Sequence, residues 1–246
     1  MGERKSYLIL FGLLVLVLAL FGWALSAQMQ VRKMGNTVLA VHQQFKYKGS
    51  EHNLSLSIPL TKYLYYKEKA RPSWLNYNNR HPYHYFAEYA AMASDTGDDA
   101  VIDAVAAYLN QAAAVEGLDE RDKAELALVF VQSFTYIGDN VTEAADEYPR
   151  YPVETLIDRE GDCEDTSILL AAILDEMGYD VALLLFEEFD HIGLGINIPP
   201  EYTMYGNSWI YEGRRYWYLD TSGKHSIGWC PEPYNVTSAY VYPVGK

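Results

Sequence analysis

Cysteine is scarce in this chain: Cys163 and Cys230 are the only two. Two are too few for a disulfide framework. A single cystine stays open in an oxidising compartment, and it competes with any use of a free thiol. Basic charge is also short, with 19 Lys and Arg against 33 Asp and Glu and a formal net charge of −14. Such a surface repels phosphate backbones, which argues against a nucleic-acid partner. The acidity otherwise reads as solubility. Internal repeats and low-complexity tracts are missing. Long apolar runs are missing too, with one exception: no charged side chain occurs from Tyr7 to Ala27. A membrane-spanning helix needs about 20 such residues. Arg4 and Lys5 precede the run, and Tyr7 and Trp23 suit its two interfaces. A cleaved signal peptide is the rival reading, but its apolar stretch is normally shorter. Residues 1–27 are therefore expected to be a single-pass anchor. Arg32, Lys33 and Lys46 balance the basic residues across it, so charge does not orient it. The sequons at Asn53, Asn140 and Asn235 lean toward an external domain.

Beyond the anchor, residues 28–60 read as a stalk, with a short alternating strand at Leu54–Ile58. Residues 61–123 form a helical segment rich in aromatics, among them Tyr63, Tyr65, Tyr66, Trp74, Tyr77, Tyr83, Tyr85, Phe86 and Tyr89. A packing surface explains this crowd better than a binding platform. His81 and His84 lack a Cys or carboxylate at ligand spacing, so they read as surface histidines rather than metal ligands. Val101, Ile102, Val105, Tyr108 and Leu109 fall on one stripe of a helix over 98–114. A second helix starts at Asp119, with acids in its first turn, and runs to about Phe134.

From residue 124 to 246 the character changes. Pro149 and Pro152 punctuate a loop. A helix is expected from Cys163 to Met177, ended by Gly178. Strands follow at 179–186, 191–198, 208–211 and 215–220, with Glu212-Gly213 as a hairpin turn. Helices first and a mostly antiparallel sheet second make an α+β fold.

The chemistry centres on Gly161-Asp162-Cys163-Glu164-Asp165-Thr166-Ser167. Cys163 opens a helix that is apolar nearly all round, Ile168 to Leu174, and such a helix must be buried. Its N-terminus offers unpaired N–H groups and positive potential. Both favour a thiolate, and the same N–H groups can hold an oxyanion. Asp162, Glu164 and Asp165 work against a low thiol pKa, so a further cation is needed. His191, at the start of an apolar strand, can supply it. Asp220, at the end of Tyr216–Leu219, can orient the imidazole. Each residue alone has an ordinary structural reading: a buried thiol, a core histidine, a turn aspartate. Their joint order on these elements changes the balance. Cys230 reads as a plain thiol, and His225, in a Ser/Gly-rich loop, ranks below His191.

The Gly161–Ser167 block, with His191 and Asp220 after it in this setting, resembles the transglutaminase-like superfamily of papain-like fold. The Gly161–Asp165 block is similar to archaeal and bacterial transglutaminase-like cysteine proteinase domains. The likeness spans roughly Ala124 to Ser222 and includes Phe130–Phe134, Tyr148–Pro152 and Val153–Leu156. It implies a papain-like core with the Cys at the N-terminus of a buried helix packed on an antiparallel sheet. It implies Cys163 as nucleophile, His191 as general base and acid, and Asp220 as orienter. Gln132 is a further candidate for the oxyanion hole, with an ordinary helix position as the alternative. The expected activity is acyl transfer through a thioester, with hydrolysis of peptide, cell-envelope or other amide material preferred over cross-linking. Neither metal nor cofactor is expected. A non-catalytic binding module on the same fold and a Cys163–Cys230 redox pair are the competing readings.

Overall fold

The computed structural model describes residues 20, 21, 23, 35–71, 83–138, 148–189, 191–199, 201, 202, 204–235 and 238–245. The expected anchor lies outside them, apart from Leu20, Phe21 and Trp23, which are helical and exposed. Among the described residues no helix is long and apolar enough to cross a membrane. Trp74, Tyr77 and His81 also lie outside.

The chain is α+β. It opens on a hairpin of β1 (Val38–Tyr47) and β2 (Ser50–Pro59), joined through Lys48 and Gly49. Both linking residues have positive φ, 46° and 90°, the conformation whose twist suits a two-residue hairpin. The stretch read as a stalk is thus, over 38–59, a strand pair with one buried face: Val41, Phe45, Tyr47, Leu54 and Ile58. Polar residues on that same face disguised the alternation. Gln43 reaches Ser133 through its amide (3.1 Å to the carbonyl, 2.7 Å to the hydroxyl). His52 stacks on Phe45 at 4.8 Å and faces Glu116 at 3.4 Å.

Helices α1 (Leu60–Glu68), α2 (Tyr83–Ala93), α3 (Asp99–Glu116) and α4 (Glu120–Val131) come next. Asp119 caps α4 by accepting from the Asp122 N–H at 2.8 Å, which satisfies one orphan donor of the first turn. Within the aromatic stretch Tyr66 and Tyr89 are buried in the core, so those two side chains serve packing. Residue 124, taken as a boundary, falls inside α4. After β3 (Thr135–Tyr136) comes α5 (Pro152–Asp158), in a stretch expected to be a loop. Pro152 stands at its first position, where a missing N–H costs nothing and the fixed φ suits a helix.

β4 (Glu160–Gly161) leads into α6 (Cys163–Glu176). Ile168 through Ala171, with Ile173 and Leu174, are wholly buried, each Leu or Ile side chain contributing about 1.5–3 kcal/mol. One side of α6 meets β5 (Asp180–Phe186) and β6 (His191–Asn197), and α2, α3, α4 and α5 also pack on it. The sheet is completed by β7 (Ser208–Tyr211), β8 (Arg214–Leu219) and β9 (Tyr240–Pro243), in the order β7-β8-β6-β5-β9, all antiparallel. A short helix, α7 (Glu232–Asn235), precedes β9. The sheet faces divide the core. Val181, Leu183, Ile192, Leu194 and Leu219 belong to the main core, whereas Leu184, Phe186, Tyr218 and Cys230 form a second, smaller cluster.

Candidate active site

Cys163 occupies the first position of α6. Asp162 caps the helix: its side chain accepts from the Asp165 N–H at 3.5 Å, and its carbonyl accepts from Thr166. The N–H of Cys163 itself lies in the first turn, where no carbonyl of the helix can reach it. Behind the helix start, Asp165 is wholly buried and ion-paired with Arg150, whose main-chain N–H also donates to it at 2.6 Å. The pair fastens the segment before α5 to the helix that carries the thiol.

Three groups surround the sulfur. The thiol donates to Glu164 Oε2 at 3.1 Å. The main-chain N–H of Ile192 favours the charged form of the thiol, and the Cys163 and Tyr136 groups influence each other's ionisation. Tyr136 gets there because β3 pairs in parallel with β4, the strand that runs into Cys163. Burial first, then the Glu164 charge, pushes the Cys163 thiol well above its ordinary value, and the Ile192 N–H opposes this. Burial and then Asp162 hold the Glu164 carboxyl at about 9. The helix terminus is therefore not sufficient to make a thiolate here.

His191 opens β6, 9% exposed. Its Nε2 lies 2.9 Å from the Tyr218 hydroxyl, which stands 3.4 Å from Asp220 Oδ2. The ring stacks on Tyr234 of α7, centroids 5.0 Å apart, and lies near Phe186. Burial lowers the imidazole pKa and the Asp220 charge raises it, with burial the larger influence. Asp220, just past β8, accepts at Oδ1 from the Ser222 N–H (2.8 Å) and hydroxyl (2.5 Å). Thus His191 and Asp220 meet through Tyr218, and Cys163 meets the main chain one residue after His191. Among the described residues no thiol–imidazole hydrogen bond is formed; such contacts often tighten only when substrate is bound.

Gln132 has a different task from the one expected. Its amide nitrogen donates to the carbonyls of Asp220 (2.7 Å) and His225 (2.9 Å). Both amide hydrogens are thereby engaged, so the side chain fastens the loop after β8 and has no donor left for an oxyanion. His225 stacks face to face on Trp229. Both cysteines are free thiols, which leaves the cystine reading without support. Burial, with Asp220, raises the Cys230 thiol to about 12. Among the described residues no group of three His, Cys, Asp or Glu is placed to hold a metal ion.

Sequence reasoning passed over Tyr136, Arg150, Tyr218 and Tyr234. A signal existed for Tyr218: two residues before Asp220 on a strand, it shares that residue's face. Tyr136 depends on a long-range strand pairing that no local pattern announces.

No family model matches the sequence, and no curated protein matches it. Solved structures that match part of the chain include calcium-bound LapG of Legionella pneumophila, 21% identical, covering 63% of this chain and 83% of that one, TM-score 0.39. A putative protease from Parabacteroides distasonis is 14% identical over 79% of this chain and 40% of its own, TM-score 0.37. A TGase is 12% identical over 80% and 47%, TM-score 0.35.

Proposed function

We propose that this chain is a membrane-anchored, cysteine-dependent acyl-transfer enzyme that hydrolyses peptide or other amide bonds at the cell surface. The observation that carries the reading is the thiol of Cys163 at a helix N-terminus that packs on the strand opened by the buried His191. Cys163 Sγ attacks the amide carbonyl as His191 takes its proton. The oxyanion rests on the free N–H of the first helical turn, with the Tyr136 hydroxyl as a second donor. His191 then protonates the leaving amine, and a thioester remains on Cys163. Water, activated by the same imidazole, releases the acid and restores the thiol. Anchorage and an external site rest on the apolar run from Tyr7 to Ala27 and on the sequons.

A second reading has its own observation. A thiol raised by burial and by Glu164 is a poor nucleophile, which favours a binding module on the same fold. Mass spectrometry of the full chain, quenched in acid after mixing with a peptide library, separates the two. The enzyme reading expects an acyl adduct on Cys163, absent from Cys163→Ala, with amine products released by the native chain. Peptides bound but neither cleaved nor acylated would support the binding module.

A further inference from the structure

The expected triad has Asp220 bonded directly to His191, and the structure has a phenol between them. Tyr218 is wholly buried. Its ring lies edge-on to Phe186 and Trp209, and its oxygen touches Nε2 of His191 on one side and the Asp220 carboxylate on the other. The sequence makes room for it. A Cβ on Gly193 would lie 2.4 Å from Tyr218 Cε2 and 2.8 Å from its oxygen. The missing side chain at Gly193 leaves the space that this ring fills.

The hydrogen-bond directions follow from the chemistry of the three groups. An ionised carboxylate only accepts, so the single phenolic hydrogen points to Asp220. The phenol oxygen is then left as an acceptor, and the nitrogen facing it must carry hydrogen. We propose that Tyr218 is a positioning residue: inserted between His191 and Asp220, it holds the neutral imidazole as the Nε2–H tautomer and leaves Nδ1 as the atom that takes the Cys163 proton. Burial, with the Asp220 charge, holds the phenol far above its ordinary pKa, so it stays protonated at working pH. When His191 accepts a proton, the S–H bond breaks and an Nδ1–H bond forms. The new positive charge is met across the phenol by Asp220, and no proton crosses to the carboxylate. Among the described residues, Cys163, Tyr234 and Cys230 are ionisable groups close to these three.

The inference rests on the enzyme reading, yet its test does not need turnover. Nitrogen-15 NMR of the histidine rings in the full chain reports the tautomer directly. The native protein is expected to show His191 protonated at Nε2. In Tyr218→Phe, which keeps the ring and loses the hydroxyl, the tautomer population should shift, and the pH dependence of Cys163 alkylation should shift with it. An Nδ1–H tautomer in the native protein would overturn the assignment, and that measurement requires no variant. So would a Tyr218→Phe protein whose His191 spectrum and alkylation profile both match the native ones. If Tyr218→Phe alters the tautomer while Cys163 alkylates slowly in both proteins, the positioning role stands and the enzyme reading falls.

Discussion

The carboxyl of Glu164, beside the thiol, is the residue whose ionisation the structure strains most visibly. Its folded value, about 9, lies above the ordinary 4.5 because burial and then Asp162 oppose its charge. The folded protein therefore holds a proton there that the unfolded chain has lost. That contribution to stability is complete below about pH 4.5 and disappears as pH rises toward 9. Urea unfolding should show native stability falling across this window. Glu164→Gln should flatten the fall and be the more stable protein at pH 9. If only one unit of the shift is realised, the gain is about 1.4 kcal/mol. Parallel pH profiles for the two proteins would remove this account of Glu164. Residue by residue, the sequence revealed identities better than partners. Cys163, His191 and Asp220 could be singled out by type and order, but the phenol between two of them could not. Gln132 was noticed for its amide, and only the fold discloses that Asp220 and His225 consume both its hydrogens.

Among the elements, α6 was the most legible. A helix that is apolar all round has one place to go, and its expected span, Cys163–Met177, differs from the observed Cys163–Glu176 by one residue. Strands β5 to β8 were readable from β-branched and aromatic runs, and Glu212 and Gly213 both take the positive φ that their turn needs. The elements that were missed have physical reasons. α5 begins with a proline that looked like a loop signal. The β1–β2 hairpin carries Gln43 and His52 on its buried face. β9 is only four residues long and is defined by pairing with β5. One prediction belongs at this scale. Arg150 and Asp165 form a buried ion pair between the start of α5 and the start of α6, 1% and 0% exposed. Removing one member leaves the other charge buried, so Arg150→Ala should cost about 3–5 kcal/mol in denaturant unfolding. Replacing both members with well-packed apolar residues should cost less than the single change. Equal costs for the single and double variants would show that packing, rather than the orphaned charge, sets the penalty.

For the whole molecule, the central question is where it works. The described residues form an α+β body with no spanning helix, and the apolar run from Tyr7 to Ala27 lies almost wholly outside them. The expectation is that the full chain fractionates with membranes and resists alkaline carbonate extraction, whereas a chain lacking residues 1–27 does not. Added protease should digest the body in intact cells. Release of the full chain by carbonate would count against the anchor, and protection from protease would reverse the orientation. The net charge of −14 gives no comparable handle, because it follows from solubility in any aqueous compartment.

Whether His191 activates the thiol of Cys163 is tested most directly by the pH dependence of Cys163 alkylation. It should be measured in the full chain, native and His191→Ala, with Cys230 replaced by Ser in both. If the imidazole drives ionisation, the native rate should half-rise at lower pH than that of His191→Ala, in which burial and Glu164 act on the thiol without an imidazole to oppose them. A native profile that His191→Ala leaves unmoved would contradict the account and identify Cys163 as a quenched thiol in a binding module.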